Sequence, residues 1–377
     1  FRRVLFRSGR LREAQMLALL ASGPHPSRNP AQNMADLRAQ IAANEKGVQE
    51  LRRMVAQYGL DVVQAYMGHV QDNAEESVRR AIARLAVRFG HGQTRRFDFP
   101  LDNGAFIRVA VTIDAKQRQA RVDFTGTSEQ QDNNFNAPRA VCMAAVLYVF
   151  RTLVEDDIPL NAGCLKPIEV IIPEGCMLNP LPPASVVAGN VETSSCITNA
   201  LYGALQVMAG SQPTMNNFTF GNDRYQYYET VAGGSGAGAT FDAQGQLTGG
   251  FNGCSVVQTH MTNSRLTDPE VLEFRFPVRL LSYSLREGSG GAGQWPGGQG
   301  GVRRVEFLEA MTAGILSNGR KHPAFGLAGG GAGATGLNRV VRADGTVEVL
   351  DHIGQTQMAP GDVFEIHTPG GGGYGAL

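Results

Sequence analysis

Glycine placement constrains this chain more than any other feature. Of its 377 residues, 47 are glycine. They are concentrated after Gly233, whereas residues 34–85 contain only three. A residue without Cβ permits tight turns and close backbone approaches. A glycine-dense second half without a short repeat therefore implies packed, turn-rich structure and not a linker. The earlier part must fold by another rule, and its periodicity gives it. Leu37, Ile41, Val48, Leu51, Val55 and Tyr58 recur at helical spacing over residues 34–58, with Gly59 placed as a C-terminal cap. A second helix follows from about Asp61 to Leu85, with Val62, Tyr66, Val70, Val78, Ile82 and Leu85 on one stripe. Together they read as a helical hairpin, a module for packing or docking.

From Arg95 the period changes to two. Phe106–Ile113 and Gln119–Phe124, separated by Asp114-Ala-Lys-Gln-Arg118, predict a β-hairpin. An apolar helix is predicted over Ala137–Val154 and a strand over Ile168–Ile172. A further helix, capped by Thr193, should run to about Met208. Short glycine-separated strands follow at Phe218–Phe220, Tyr227–Val231, Ser255–Gln258, Val278–Arg286, Val302–Leu308, Val347–Leu350 and Val363–His367. The fold class expected is α+β: an N-terminal helical hairpin, then mixed, mostly antiparallel glycine-rich β-sheets with a few packed helices. The expected divisions are 1–33, a non-matching or disordered segment; 34–92, the hairpin; 93–232, an α+β core; and 233–377, a glycine-rich β domain.

Composition narrows the function classes. The formal net charge is zero, so neither nucleic acid nor an anionic membrane is an expected partner. The longest apolar stretch, around Ala140–Phe150, falls short of the roughly 20 residues of a spanning helix. Five scattered cysteines without a C-x-x-C pair disfavour zinc and redox centres and fit a reducing cytoplasm. The start, at Phe1 with no apolar segment behind its arginines, reads as a truncation and not as a signal peptide.

Local motifs supply candidates. Gly288–Gly293 and Gly331–Gly336 match G-x-G-x-x-G, but neither is set between a strand and a helix, as a dinucleotide site requires. No P-loop is present. No two of the seven histidines lie at metal-binding spacing, so no metal site is expected here. Asn161-Ala-Gly-Cys-Leu-Lys166 reads as a turn or as a pocket wall, in which Asn161 binds a carbonyl and Cys164 is a nucleophile lacking a visible base. In Gly189-Asn-Val-Glu-Thr193 a strand should end at Asn190, with Glu192 following at a strand-to-helix junction. Glu229, inside an otherwise apolar strand, is either a salt-bridged core residue or a general base. Gln258–Glu270 packs His260, Thr262, Asn263, Arg265 and two carboxylates together, and His260 is the leading site candidate on chemistry.

Taken in order, these motifs resemble the hydantoinase B/5-oxoprolinase family. The resemblance is carried by Asp123-Phe-Thr-Gly-Thr-Ser128, Asn136-Ala-Pro138, Ile158–Pro167, Val186–Ser194, Met215-Asn-Asn217, Tyr228-Glu-Thr230, Thr259–Asn263, Thr267–Glu270, Gly288–Gly293 and Thr368–Gly375. It covers about residues 30–375 and implies the carboxy-terminal portion of a subunit of an ATP-dependent cyclic amidase acting on 5-oxoproline or a hydantoin. It also implies a hydantoinase A-type, actin-like ATPase as separate subunit or fused domain, which brings ATP and Mg2+. An oligomeric assembly is expected. A divalent metal would belong to an Asp/His-rich segment preceding this one. The motif-matched candidates are His260, Glu229 and Glu192 for catalysis, with Asn161, Asn190, Asn217, Thr230 and Asn263 for substrate binding. Alternatives are an acetone or acetophenone carboxylase-type subunit and a non-catalytic scaffold that docks the ATPase. Two departures from the family pattern stand out: Ser128-Glu-Gln130, where a proline often follows, and Asn318-Gly-Arg320 in place of a more basic run.

Overall fold

The computed structural model describes residues 6–7, 9–23, 26–27, 29–90 and 92–377. Two compact units divide the chain, Phe1–Val70 and Gln71–Leu377. In the first, strands β1 (Phe6–Arg7) and β2 (Arg10–Leu11) pair antiparallel, followed by α1 (Glu13–Leu20) and α2 (Pro30–Tyr58). Asn29 caps α2 by accepting from the Gln32 amide, and Pro30 supplies a preset first-turn φ. Gly59, at φ +85°, ends it. Helix α3 (Leu60–Phe89) begins one residue later. The expected helical region is thus present, and residues 13–20 before it are helical as well. Its apolar stripe has two fates. Leu51, Tyr58, Val62 and Tyr66 are exposed, whereas Val78, Ile82 and Leu85, in the second unit, are buried.

In the second unit that buried stripe packs into a core with the sheet β3 (Thr94–Pro100), β4 (Phe106–Asp114), β5 (Gln119–Asp123) and β6 (Ile168–Ile171), in that spatial order. All neighbours are antiparallel except β5 and β6, which are parallel. A parallel pair needs a crossover, and α4 (Arg139–Thr152) lies within it. Helix α5 (Ser194–Leu205) is buried along its whole length against α4, β3 and β4. Gly203 makes that approach feasible, since a Cβ there would sit 2.7 Å from the Phe97 ring.

The rest is β-rich. One sheet runs β16 (Ile353–Met358), β13 (Met311–Leu316), β7 (Asn217–Gly221), β8 (Gln226–Thr230); another runs β11 (Val278–Arg286), β12 (Gly300–Phe307), β17 (Val363–His367), β14 (Leu337–Val341), β15 (Val347–Leu350). Their inner faces share a core of Phe218, Phe220, Val305, Phe307, Phe364 and Ile366. A separate hairpin pairs β9 (Gly238–Phe241) with β10 (Leu247–Phe251). Asp268 caps α6 (Pro269–Arg275) by accepting from the Glu270 amide. Ser255–Gln258, expected as a strand, is coil with only isolated bridging.

Gly370–Gly373 lies at the centre of the glycine-rich region, in neither helix nor ladder. Its successive amides donate to Ala334, Gly298, Gly210 and Gly331. The first and fourth bonds return to the same flanking segment, a repeat of three residues per turn as in polyproline II geometry. Added Cβ atoms would meet Ser289 O at 1.8 Å, Ser235 O at 1.8 Å, Phe325 O at 1.9 Å and Ala292 O at 2.2 Å, on three different neighbouring segments. A segment enclosed by backbone on every side can be built only from glycine. Both G-x-G-x-x-G matches belong to this web: Gly291 N donates to Gly371 O, and Gly331 accepts from Gly373.

Candidate functional site

Gly189–Thr193 forms a single π-helical turn leading into α5, where a strand end was expected at Asn190. Thr193 does not cap the helix; its hydroxyl donates to Phe135 O at 2.6 Å. The turn directs Glu192 inward, where it is wholly buried. Oε1 accepts from Thr214 Oγ1 (2.7 Å), Met215 N (3.1 Å) and Asn217 Nδ2 (2.6 Å), and Oε2 accepts from Asn318 Nδ2 (3.2 Å). Burial pushes its carboxyl up to about 8, against the downward pull of these donors and of Arg320. Asn217 opens β7 and also receives the Tyr228 hydroxyl on Oδ1 at 2.7 Å, so Glu192 is linked to a half-exposed tyrosine.

The network continues beyond Asn318, whose Oδ1 accepts from Asp102 N. The Asp102 carboxylate in turn receives three consecutive backbone amides, from Arg320 (2.6 Å), Lys321 (3.0 Å) and His322 (3.1 Å). Arg320 donates to Asn216 Oδ1, Asn318 O and Asn338 Oδ1, and burial lowers it to about 10. Gly336 makes room for it: a Cβ there would touch the guanidinium at 2.9 Å. Lys321 Nζ reaches Asp102 O (3.3 Å) and Asp351 Oδ2 (3.2 Å), and Asp351 Oδ1 holds His352 Nδ1 at 2.8 Å. One continuous path therefore runs from Tyr228 through Asn217, Glu192, Asn318, Asp102, Lys321 and Asp351 to His352.

Glu229 lies across the β7–β8 pair from Phe218 but joins a different set. Arg303 of β12 grips it with two bonds, 2.7 and 2.9 Å, and the Tyr227 hydroxyl adds a third at 2.9 Å. Both charged side chains are almost completely buried. Of the two expectations for Glu229, this geometry is that of the salt-bridged core residue. The neighbouring Thr230, buried, accepts from Gln258 Nε2 at 3.0 Å.

His260 sits elsewhere, at φ +59°, between the rings of Tyr148 and Tyr202. Its Nδ1 is 3.4 Å from the Tyr148 hydroxyl, and Nε2 is shielded from solvent and lacks a protein partner among the described residues, although the residue keeps a partly exposed edge. Desolvation lowers the imidazole to about 4, which leaves it neutral near pH 7. Val256, also at positive φ (+49°), places a second uncommon backbone conformation in this loop.

A family model described as hydantoinase B/oxoprolinase matches residues 3–377. The chain belongs to this family. Like the ordered motifs, the match takes in the pieces just described. Among its hydantoinase B/oxoprolinase relatives, 5-oxoprolinase 1 of Arabidopsis thaliana is 45% identical over 359 residues, covering 93% of this chain and 28% of the relative. The 5-oxoprolinase of Saccharomyces cerevisiae is 41% identical over 364 residues, again 93% of this chain and 28% of the relative. The chain thus spans less than a third of these relatives. Among solved structures, the ATP-dependent caprolactamase of Pseudomonas jessenii matches 99% of this chain and 65% of its own, with TM-score 0.80 and 22% identity. Nucleotide-free acetone carboxylase matches 99% and 56%, with TM-score 0.78 and 17% identity. At these identities the likeness is one of fold. No helix among the described residues is long and apolar enough to cross a membrane.

The remaining candidates are dispersed. Asn161 caps a 3-10 turn through Gly163 N and bonds Pro159 O; Asn190 and Asn263 are exposed. Cys164 is a fully buried free thiol. Hydrogen bonding thus joins Glu192 to Asn217 and Thr230 to the Gln258 loop, while His260 faces Tyr148 and Tyr202. Sequence reasoning missed Asp102, Arg303, Asn318, Lys321, Asp351 and His352. The one available signal was Asn318-Gly-Arg320, noted as a departure; its arginine is instead deeply engaged.

Proposed function

We propose that this chain is the carboxy-terminal part of the hydrolytic subunit of an ATP-dependent cyclic amidase, which opens the ring of 5-oxoproline or a hydantoin. The observation that carries this reading is the 45% identity to a 5-oxoprolinase across 93% of the chain. A hydantoinase A-type, actin-like ATPase, fused or separate, would supply ATP and Mg2+ and convert the ring carbonyl into a phosphorylated electrophile that water can attack. Among the described residues no three His, Cys, Asp or Glu side chains gather to hold a metal ion.

What this chain contributes is the path from Tyr228 to His352. Glu192 and Asn217 are positioning residues within it. They are buried and mutually bonded, and they fix Asn318 and Asp102 behind the half-exposed Lys321 and Asp351. Glu229 holds the two β-sheets together through Arg303. A second reading places the chemistry at His260, favoured by its neutral ring and free Nε2.

The test uses the complete enzyme with its ATPase. Ring opening of 5-oxoproline that requires ATP but not bicarbonate supports the amidase, whereas bicarbonate-dependent turnover of a ketone would make it a carboxylase. Within an active amidase, His260→Asn separates the two sites: near-complete loss of kcat with normal assembly moves the chemistry to the Tyr148–Tyr202 pocket. If polar substitutions at both sites leave turnover intact, the chain is a scaffold.

A further inference from the structure

Among the described residues, three of the buried polar side-chain atoms without a protein partner belong to residues on the path through Asp102 or bonded or adjacent to it: Asn103 Nδ2, Arg320 Nε and His352 Nε2. Buried polar atoms are normally satisfied, so each of these calls for a partner. His352 is the most informative of the three. Only 8% of it is exposed, yet its ring is firmly aimed. Asp351 Oδ1 accepts from both the His352 backbone amide (2.7 Å) and Nδ1 (2.8 Å), while the His352 carbonyl is bound by Ser317 N and Oγ. Asp351, held down to about 2 chiefly by its hydrogen bonds to His352, can only accept, so Nδ1 carries the proton. In the neutral ring Nε2 then offers a lone pair. No partner reaches it among the described residues.

A donor lies beside the same carboxylate. Lys321 Nζ has three protons and donates to Asp102 O and Asp351 Oδ2, and its side chain is half exposed. An acceptor and a donor fixed about one aspartate match a ligand that presents a donor next to an acceptor on one edge. A small lactam does this, because its ring holds the amide cis and turns N–H and C=O to the same side. A peptide bond, being trans, does not.

Resting on the cyclic-amidase reading above, we propose that His352 Nε2 and Lys321 Nζ form a recognition subsite for a ring amide, His352 accepting its N–H and Lys321 donating to its carbonyl. Asp351 orients both groups. Glu192, Asn318 and Asp102 set the loop that carries Lys321. The role is binding and orientation; no proton transfer is assigned to His352.

The experiment is histidine-selective 15N NMR on the 377-residue chain, with 2-pyrrolidone as probe and N-methyl-2-pyrrolidone, which has no N–H, as its control. His352→Phe assigns the resonance; if it does not fold, Lys321→Met and the two ligands still decide. The expected result is a saturable shift of the His352 Nε2 resonance with 2-pyrrolidone, with at least tenfold weaker binding of the N-methyl compound and at least tenfold weaker binding of 2-pyrrolidone to Lys321→Met. No saturable shift, or equal binding of both compounds, overturns the subsite and leaves an ordered water as the partner of Nε2. Because ring opening is not measured, failure here leaves the amidase reading standing. A complete enzyme inert toward 5-oxoproline would remove that reading without altering the binding result.

Discussion

Removing the Arg303 guanidinium tests whether Glu229 is a structural ion or a chemical one. The pair joins β8 of one sheet to β12 of the other, with side-chain exposures of 2% and 4% and contacts of 2.7 and 2.9 Å. At an effective dielectric of about 20, charges roughly 4 Å apart attract by about 4 kcal/mol, most of which offsets their desolvation. Arg303→Met strands the carboxylate in a core bounded by Tyr227 and Tyr283, and breaking such a pair from one side costs about 3–5 kcal/mol. Glu229→Leu with Arg303→Met removes both charges, and the Tyr227 hydroxyl keeps Thr267 as a partner at 2.9 Å. The double variant should therefore be more stable than Arg303→Met alone, within about 1–2 kcal/mol of the wild type. Urea unfolding of the chain measures this. A double variant as unstable as the sum of its two singles would refute the argument. So would an Arg303→Met loss below about 1 kcal/mol. In the complete enzyme the folded double variant should retain ring opening; an inactive but stable double variant would restore Glu229 as a base.

Glu192 gives a pH signature. Its folded value of about 8 lies above the ordinary 4.5, so the native state binds more protons between those limits. Its contribution is complete below pH 4.5 and declines as pH rises to about 8, by several kcal/mol as an order of magnitude. Glu192→Gln should flatten that limb in urea midpoints taken from pH 5 to 8.5; an unchanged slope would show the carboxyl ionised throughout. Gly371→Ala would push a Cβ to 1.8 Å from Ser235 O, whereas Gly345→Ala, at φ +89° with nothing within 4 Å, meets only backbone strain. Thermal melts should show the first abolishing or severely weakening folding and the second costing about 1–2 kcal/mol. Asp102→Asn removes charge from a carboxylate that collects three consecutive amides and should cost about 1.5–3 kcal/mol by denaturant unfolding. Equal stability there would mean the loop holds without the charge.

The parts legible in the sequence are those whose cause is local. Gly59 ends a helix within a single turn of chain, and Val278–Arg286 was found to the residue as β11. Glycine density announced close backbone approach, and Gly370–Gly373 shows it on all sides. Local signals failed where the deciding partner is remote. Val302-Arg-Arg-Val305 reads as part of a strand, with nothing local to say which arginine turns inward. Yet alternation buries Arg303, and only Glu229, 74 residues away, makes that affordable. β13 and β16 escaped notice because Gly314 and the polar Gln355-Thr-Gln357 break the apolar alternation that their mutual pairing compensates. The site behaves likewise. Glu192 and Asn217 could be singled out as polar residues in ordered motifs. Their meaning comes from Asn318, 126 positions from Glu192, and from Asp102 beyond it. A carboxyl with four donors from four separate positions has no signature in any one of them. The same holds at His352, where an Asp-His dipeptide is unremarkable until Lys321 is placed against Asp351 and Nε2 is closed off from water. Residues that act through a partner on another element become recognisable only when the fold brings the partner in. For that reason the most constrained polar groups of this chain were also the least visible in its sequence.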